Sequence, residues 1–358
     1  MSGIFGLLGY NDTDRVFVST IGQQVVYDAI SALTTRYNLE LGQVLNAFVE
    51  RSTSDYKWRY KLPGGGRLSK MSGLAAPAEV RATGQWDVAF PLEDYGAGVG
   101  GGRVNIAYMT LQDLNRHLDT VMVQDMNTVR FEILRRLFND TQRTFIDPLY
   151  GSLAVEGFAN GDSVVYPPVI GIETEATEDH YTNAGYAQSS ISNTNNPCVT
   201  VRDELEEHFG QPTGGSNIVA FFAPAARPYL EALTAFDSVP DYRVRPGANA
   251  DVPFGLPANI PGTIIGRSNG VWCSVWRWIP DAYTLAIHLD VPKPLIQRVD
   301  LPETGLPTGL ALVARDEKFP LETSYWEHRF GFGAGNRLNG AFMFISASAF
   351  AIPSGYTW

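Results

Sequence analysis

The chain has 358 residues, of which 44% are hydrophobic, 12% aromatic and only 18% charged, and its formal net charge is −11. This length suits one large domain or two ordinary ones, and so low a charge fraction predicts surface buried against other subunits, with a neutral β-rich monomer as the alternative. The acidic balance excludes a sequence-independent nucleic-acid binder, which needs clustered Lys and Arg, but it allows a container that merely tolerates nucleic acid on its inner face.

Residues 1–21 carry short apolar runs without a sustained period and read as an extended arm. Their start, MSGIFGLLGYNDTD, lacks a basic n-region and does not read as a signal peptide. Residues 22–50 switch to helical spacing, with Val26, Ile30, Leu33, Tyr37, Leu41 and Leu45 on one stripe. Gly42 weakens that stripe, so one helix or two are expected. Between 51 and 105, PGGG at 63–66 and GAGVGGG at 96–102 flank strand-like pieces at Tyr56–Leu62 and Trp86–Leu92. Such glycine-flanked strands predict a long hairpin projecting from a body and ordered only by lying on something else. Gly64, Gly65, Gly66, Gly100, Gly101 and Gly102 supply its hinges.

The clearest helix spans 110–139, where Leu111, Leu114, Leu118, Val121, Val129, Ile133 and Leu137 keep helical spacing with no Gly or Pro. Thr110 is the expected N-cap, Asp113 the capping-box acid, and Arg135 and Arg136 are cations suited to the C-terminal dipole. From 140 to 330, strand-like runs (163–166, 217–222, 262–265, 271–276, 283–288) alternate with short helices at 202–209 and 221–233, which makes an α+β domain with a mixed sheet. Leu338–Phe350 reads as a returning strand.

Catalytic motifs are missing. GVGGGR at 98–103 lacks the Lys-Ser/Thr of a phosphate loop, and GFGAG at 331–335 reads as a turn. The five histidines show no HxH or HExxH spacing. EATEDH at 175–180 reads as a solvated loop in preference to a metal site built from Glu175, Glu178 and His180. Asp203, Glu204, Glu206 and Glu207 read as an acidic helix start. Cys198 and Cys273 lie far apart in sequence and read as reduced, buried thiols. No window approaches the ~20 apolar residues of a membrane span. The expectation is a non-enzymatic chain with no metal and no cofactor, used in a cytoplasm.

The order arm, helix, basic glycine-rich hairpin, long helix, α+β domain and returning strand resembles the HK97-type major capsid proteins of tailed bacteriophages. FIDPLYGSLAVEGFANGD (145–162), VWCSVWRWIPDAYTLAIH (271–288) and YWEHRFGFGAGNRLNGAFMFISASAFAIPSGY (325–356) are similar to segments of those proteins. The resemblance implies an N-terminal arm and helix at 1–50, an E-loop at 51–105, and a P-domain at 106–154 whose spine helix is 110–139. It further implies an A-domain at 155–330 and a C-terminal P-domain strand at 331–358. The implied function is self-assembly as pentamers and hexamers into an icosahedral head around double-stranded DNA, assembled in a host cytoplasm. Portal, scaffold or decoration proteins would be partners, and no membrane would be. Lys57, Arg59, Lys61, Arg67, Lys70 and Trp86 on the E-loop are then the inter-subunit candidates, of which Arg59, Lys61 and Arg67 would meet a neighbour's Glu93 with Asp94, or its Asp203, Glu204, Glu206 and Glu207. Removing 55–100 is expected to leave a folded body that forms no shell. The type member crosslinks an E-loop Lys to a neighbour's Asn, and Asn336 and Asn339 supply the residue type without a matched position. An encapsulin-like nanocompartment shell and a soluble hydrolase using acids in 172–207 are the rival readings.

Overall fold

A computed structural model describes residues 23–68, 70–71, 79, 84–100, 110–209, 217–238, 260–315 and 323–358. The expected arm at 1–21, and with it Gly101 and Gly102, lies outside the described residues. The elements run α1 (Gln23–Leu45), β1 (Val49–Thr53), β2 (Lys57–Lys61), β3 (Gln85–Ala89), β4 (Glu93–Gly100) and α2 (Leu111–Phe138). They continue with β5 (Arg143–Asp147), β6 (Gly151–Val155), β7 (Tyr181–Asn183), α3 (Pro197–Phe209), β8 (Ile218–Phe222), α4 (Arg227–Glu231) and β9 (Phe236–Ser238). The chain closes with β10 (Thr263–Ser268), β11 (Val271–Val275), β12 (Tyr283–His288), β13 (Leu295–Arg298), β14 (Ala311–Arg315), β15 (Thr323–Ala334) and β16 (Ala341–Phe344). The chain divides into two compact units, one of residues 1–42, 93–130 and 300–329, the other of 43–92, 131–299 and 330–358.

In the first unit β15 pairs with β14, with Leu312 opposite Trp326, and also with β4. The start of α2 is capped as its sequence predicts. Thr110 Oγ1 accepts from the Asp113 amide at 3.2 Å, and Asp113 Oδ2 accepts from Thr110 Oγ1 at 2.8 Å. Asp125 is buried, accepts from Tyr37 Oη at 2.7 Å, and lies 2.7 Å from His328 Nδ1. Burial, with the neighbouring carboxylate, pushes the Tyr37 phenol far up from its ordinary range. Gly42 does not split α1: it is exposed near the helix end, with nothing near its missing Cβ, where its cost of about 1 kcal/mol is tolerable.

The second unit is built on a seven-stranded sheet, β7-β16-β12-β8-β11-β10-β9, in which β8–β11 and β7–β16 are parallel and the other pairs antiparallel. Every residue of β8 and β12 is buried, which explains the unbroken apolar run of β8, while in β12 the buried Thr284 hydroxyl donates to Phe221 O at 3.0 Å. Cys198, Val201 and Leu205 of α3 pack in one cluster with Ile218, Ala220 and Phe222, while Phe221 meets Phe48 and Trp276 with ring centres 5.3 and 5.9 Å away. β1 runs parallel to β13, and β13 pairs with the last residues of β15. Two hairpins, β2–β3 and β5–β6, complete the unit.

Several expectations need correction. GFGAG is not a turn: Gly331 and Gly333 lie inside β15, and they are glycines because a Cβ there would strike Pro91 O and, at 2.5 Å, Phe90 Cδ1. The returning strand covers only Ala341–Phe344, and Ser163–Tyr166 forms just an isolated bridge from Tyr166 to Ala176. α3 starts at Pro197, with Asn196 Oδ1 accepting from the Cys198 amide at 3.0 Å, so its acids sit past the first turn and do not complement the dipole there. The cysteines are buried thiols as expected, yet their sulfurs are only 3.6 Å apart. Arg136 is fully buried with no hydrogen-bond partner, and burial drops its guanidinium to about 10. The 51–105 segment is not one hairpin: β4 leaves it to join β15.

Candidate assembly surfaces

The β2–β3 hairpin has two chemically distinct faces, as period-two alternation dictates. Trp58 opposite Val88 and Tyr60 opposite Trp86 form the apolar face. That face packs on Phe90, Ala159, Tyr166, Ile296 and Leu338 of its own unit. Trp86 keeps only 7% of its surface exposed, and its ring stacks on Tyr60 with centres 4.8 Å apart. The base of the hairpin is therefore ordered by lying on its own subunit. Excising 55–100 would strip Trp86, Val88 and Phe90 from that core, so it would not leave the body intact.

On the other face Arg59 grips Asp87 with two hydrogen bonds, Nε to Oδ1 at 2.6 Å and Nη2 to Oδ2 at 2.9 Å, and Lys57 Nζ lies 2.7 Å from the same carboxylate. These partners hold the Asp87 carboxyl well below the usual carboxylate range. Both cations are exposed, so the pairs are screened by water and salt. Arg59, Trp86, Asp87, Glu156, Asp162 and Arg337 are among the residues that line a pocket of about 460 Å³.

Beyond β2 the chain lies along the 168–175 loop. Gly65 donates its amide to Glu175 Oε1 at 2.8 Å, and Arg67 pairs with Glu173. A Cβ at Gly65 would collide with Glu173 O and Pro168, and Gly66 holds φ +110°, so both positions require glycine. Gly64 adjoins them in the same loop, whereas Gly100 is the last residue of β4. Arg59 and Arg67 thus have acidic partners within the chain, and Asp94 pairs with Arg329. Lys61 and Lys70 are exposed and make no ion pair among the described residues.

Exposed apolar side chains mark the surfaces that sequence reasoning missed. At the β5–β6 turn Ile146 is 78% and Leu149 77% exposed, beside Tyr150 and Tyr56, whose rings stack 3.9 Å apart. Leu68 and Met71 project past the hairpin, and Ile170 and Ile172 project from the loop it touches. DPLYG signalled the turn, but nothing in the sequence marks which turn residues stay wet. The turn is rigid: Asp147 accepts from the amides of Leu149 (2.8 Å) and Tyr150 (3.1 Å), and from Arg298 Nη1 at 2.7 Å. Arg298 Nη1 also donates to Phe90 O at 2.8 Å, which ties turn, hairpin base and β13 together.

Asn339 is buried, spanning the His288 amide (2.8 Å) and carbonyl (2.9 Å), and so is inaccessible to a neighbour's lysine. Glu175 serves the hairpin loop, and His180 is buried, not solvated as the EATEDH reading had it. No helix among the described residues is long and apolar enough to cross a membrane.

No protein-family model matches the sequence, and no curated protein matches it. Solved structures do. A chain of the Mycobacterium phage Patience structure superposes with TM-score 0.65 at 17% identity, over 96% of each chain. The mature capsid of bacteriophage PhiM1 matches at TM-score 0.46 and 11% identity, over 84% of this chain and 86% of that one. The capsid of Ralstonia phage GP4 matches at TM-score 0.46 and 10% identity, over 85% and 88%. The end-to-end superposition on the Patience chain carries the conclusion about architecture: this polypeptide has the α+β HK97-type capsid fold.

Proposed function

We propose that this chain is the major capsid protein of a tailed bacteriophage, closing as pentamers and hexamers into an icosahedral head around double-stranded DNA. The observation that carries the reading is a set of large apolar side chains held in water on an HK97-type fold. Ile146 near the end of β5 and Leu149 in the turn that follows flank Asp147, which fixes that turn, and Leu68 is 93% exposed. Burying one such side chain is worth ~1.5–3 kcal/mol, and a closed shell repeats each contact many times. A free monomer would gain nothing from them and would carry an aggregation liability. The domain assignment follows the resemblance: an arm and helix, an E-loop, a spine helix over 110–139 and an A-domain over 155–330. Lys61 and Lys70, exposed and without an ion pair among the described residues, are the E-loop cations for a neighbour's acids. Portal, scaffold or decoration proteins would be further partners, and the role is structural, not enzymatic.

Negative-stain microscopy of the purified full chain tests this. Closed shells support the proposal, and a small soluble oligomer at high concentration overturns it. Excising only 63–83, which spares Trp86, should leave folded subunits that no longer close. Normal shells from that variant would refute the part given to the hairpin loop. Shells enclosing a cellular protein instead of DNA would favour the nanocompartment reading.

A further inference from the structure

We infer that His180, His208 and Glu207 form a zinc(II) site that joins the last turn of α3 to the residue preceding β7. One ligand atom from each of the three lies within 4.8 Å of the others. His180 has no exposed surface, and its Nδ1 is 2.8 Å from Gly340 O. A carbonyl can only accept, so Nδ1 carries the proton and Nε2 is left with its lone pair. That nitrogen is buried and has no hydrogen-bond partner. An imidazole anchored at one nitrogen by a backbone carbonyl and bare at the other is the form in which histidine binds a metal. His208 Nε2 is also buried without a hydrogen-bond partner, and it lies 3.5 Å from Glu207 Oε1.

The spacing fits a tetrahedral ion. With Zn–N bonds of about 2.0–2.1 Å, ligand atoms sit about 3.4 Å apart and two bound imidazoles have ring centres about 5 Å apart. The two histidine rings are centred 5.4 Å apart. Two unsatisfied ring nitrogens side by side are unfavourable without an occupant, because each forfeits a hydrogen bond. Two imidazoles and one carboxylate suit zinc over magnesium or calcium, which prefer oxygen throughout. Glu207 is partly exposed, which leaves water as the fourth ligand.

The test uses the full chain, stripped with chelator and refilled with ZnCl2 or, as a spectroscopic probe, CoCl2. Wild type should retain about one zinc per chain after dialysis, give the intense visible bands of low-coordinate cobalt(II), and melt higher with zinc than with EDTA. Glu207→Gln changes a partly exposed side chain that the core does not need. It should keep its circular dichroism yet weaken zinc retention by roughly tenfold or more and alter the cobalt spectrum. His208→Gln should do the same. Zinc content and melting that are equal in wild type and Glu207→Gln, or a folded wild type that takes up no zinc, would overturn the site. The histidines would then be a neutral buried pair.

Discussion

Asp147→Asn removes one charge from the joint that holds the β5–β6 turn, the hairpin base and β13 together. Asp147 and Arg298 are each only 4% exposed, and Arg298 Nε has no hydrogen-bond partner. Asparagine is nearly isosteric and can still accept from a backbone amide, so the loss is mainly that of the counter-charge. A buried pair broken from one side costs about 3–5 kcal/mol, because the surviving ion stays desolvated. At roughly 2–4 °C per kcal/mol this lowers the melting temperature by roughly 6–20 °C. Urea unfolding of dissociated subunits at neutral pH measures it. Adding Arg298→Met should recover most of the loss, since an apolar replacement of both partners is often neutral. The pH dependence has a definite sign. Burial pushes the Asp147 carboxyl up, but the Leu149 and Tyr150 amides and Arg298 outweigh it and leave it below its ordinary value. A carboxyl depressed on folding contributes stability above its unfolded value, ~3.9, and loses it as pH falls through the folded value. Wild type should therefore weaken in acid below about pH 4, while Asp147→Asn loses this component. A loss under about 1 kcal/mol, or an additive double variant, would refute the reasoning.

Trp86→Ala should cost about 3–5 kcal/mol by emptying the stack beneath the hairpin, read as a lower urea midpoint, even though 51–105 looks like a surface limb. Arg136→Met should stabilise the subunit by about 1–4 kcal/mol, because it replaces a buried guanidinium, which makes no hydrogen bond, with a hydrocarbon of similar length; calorimetry gives the sign. Ile146→Asp with Leu149→Asp should leave subunit stability within about 0.5 kcal/mol, since both side chains are already wet, yet should stop shell closure in sedimentation.

What could be read from the sequence followed the strength of the local signal. α2 was legible because nothing interrupts its spacing and Thr110 and Asp113 announce its start. β8 was legible because a strand covered on both faces becomes a continuous apolar run, and β12 because only Thr284 and His288 break its apolar letters. β15 was hidden, since Gly331 and Gly333 signal a turn locally, and only the approach of Phe90 and Pro91 explains them. Alternation around Trp86 revealed an apolar face but not that residues from 159 to 338 cover it. The inter-subunit candidates Arg59 and Arg67 carry the right charge, yet Asp87 and Glu173 of the same chain answer it. Arg136 and His180 are polar letters in unremarkable contexts. Their burial is a tertiary property that no short window contains.

β16 follows every other strand in sequence, yet it lies between β7 and β12 inside the seven-stranded sheet. Without it two strand edges would stand open at once, one on each neighbour, and an open edge is a template for pairing with another chain. The sheet therefore closes only through a contact that is late in sequence, however early the helices form. A subunit caught before that step would join another through its open edge instead of completing its own sheet.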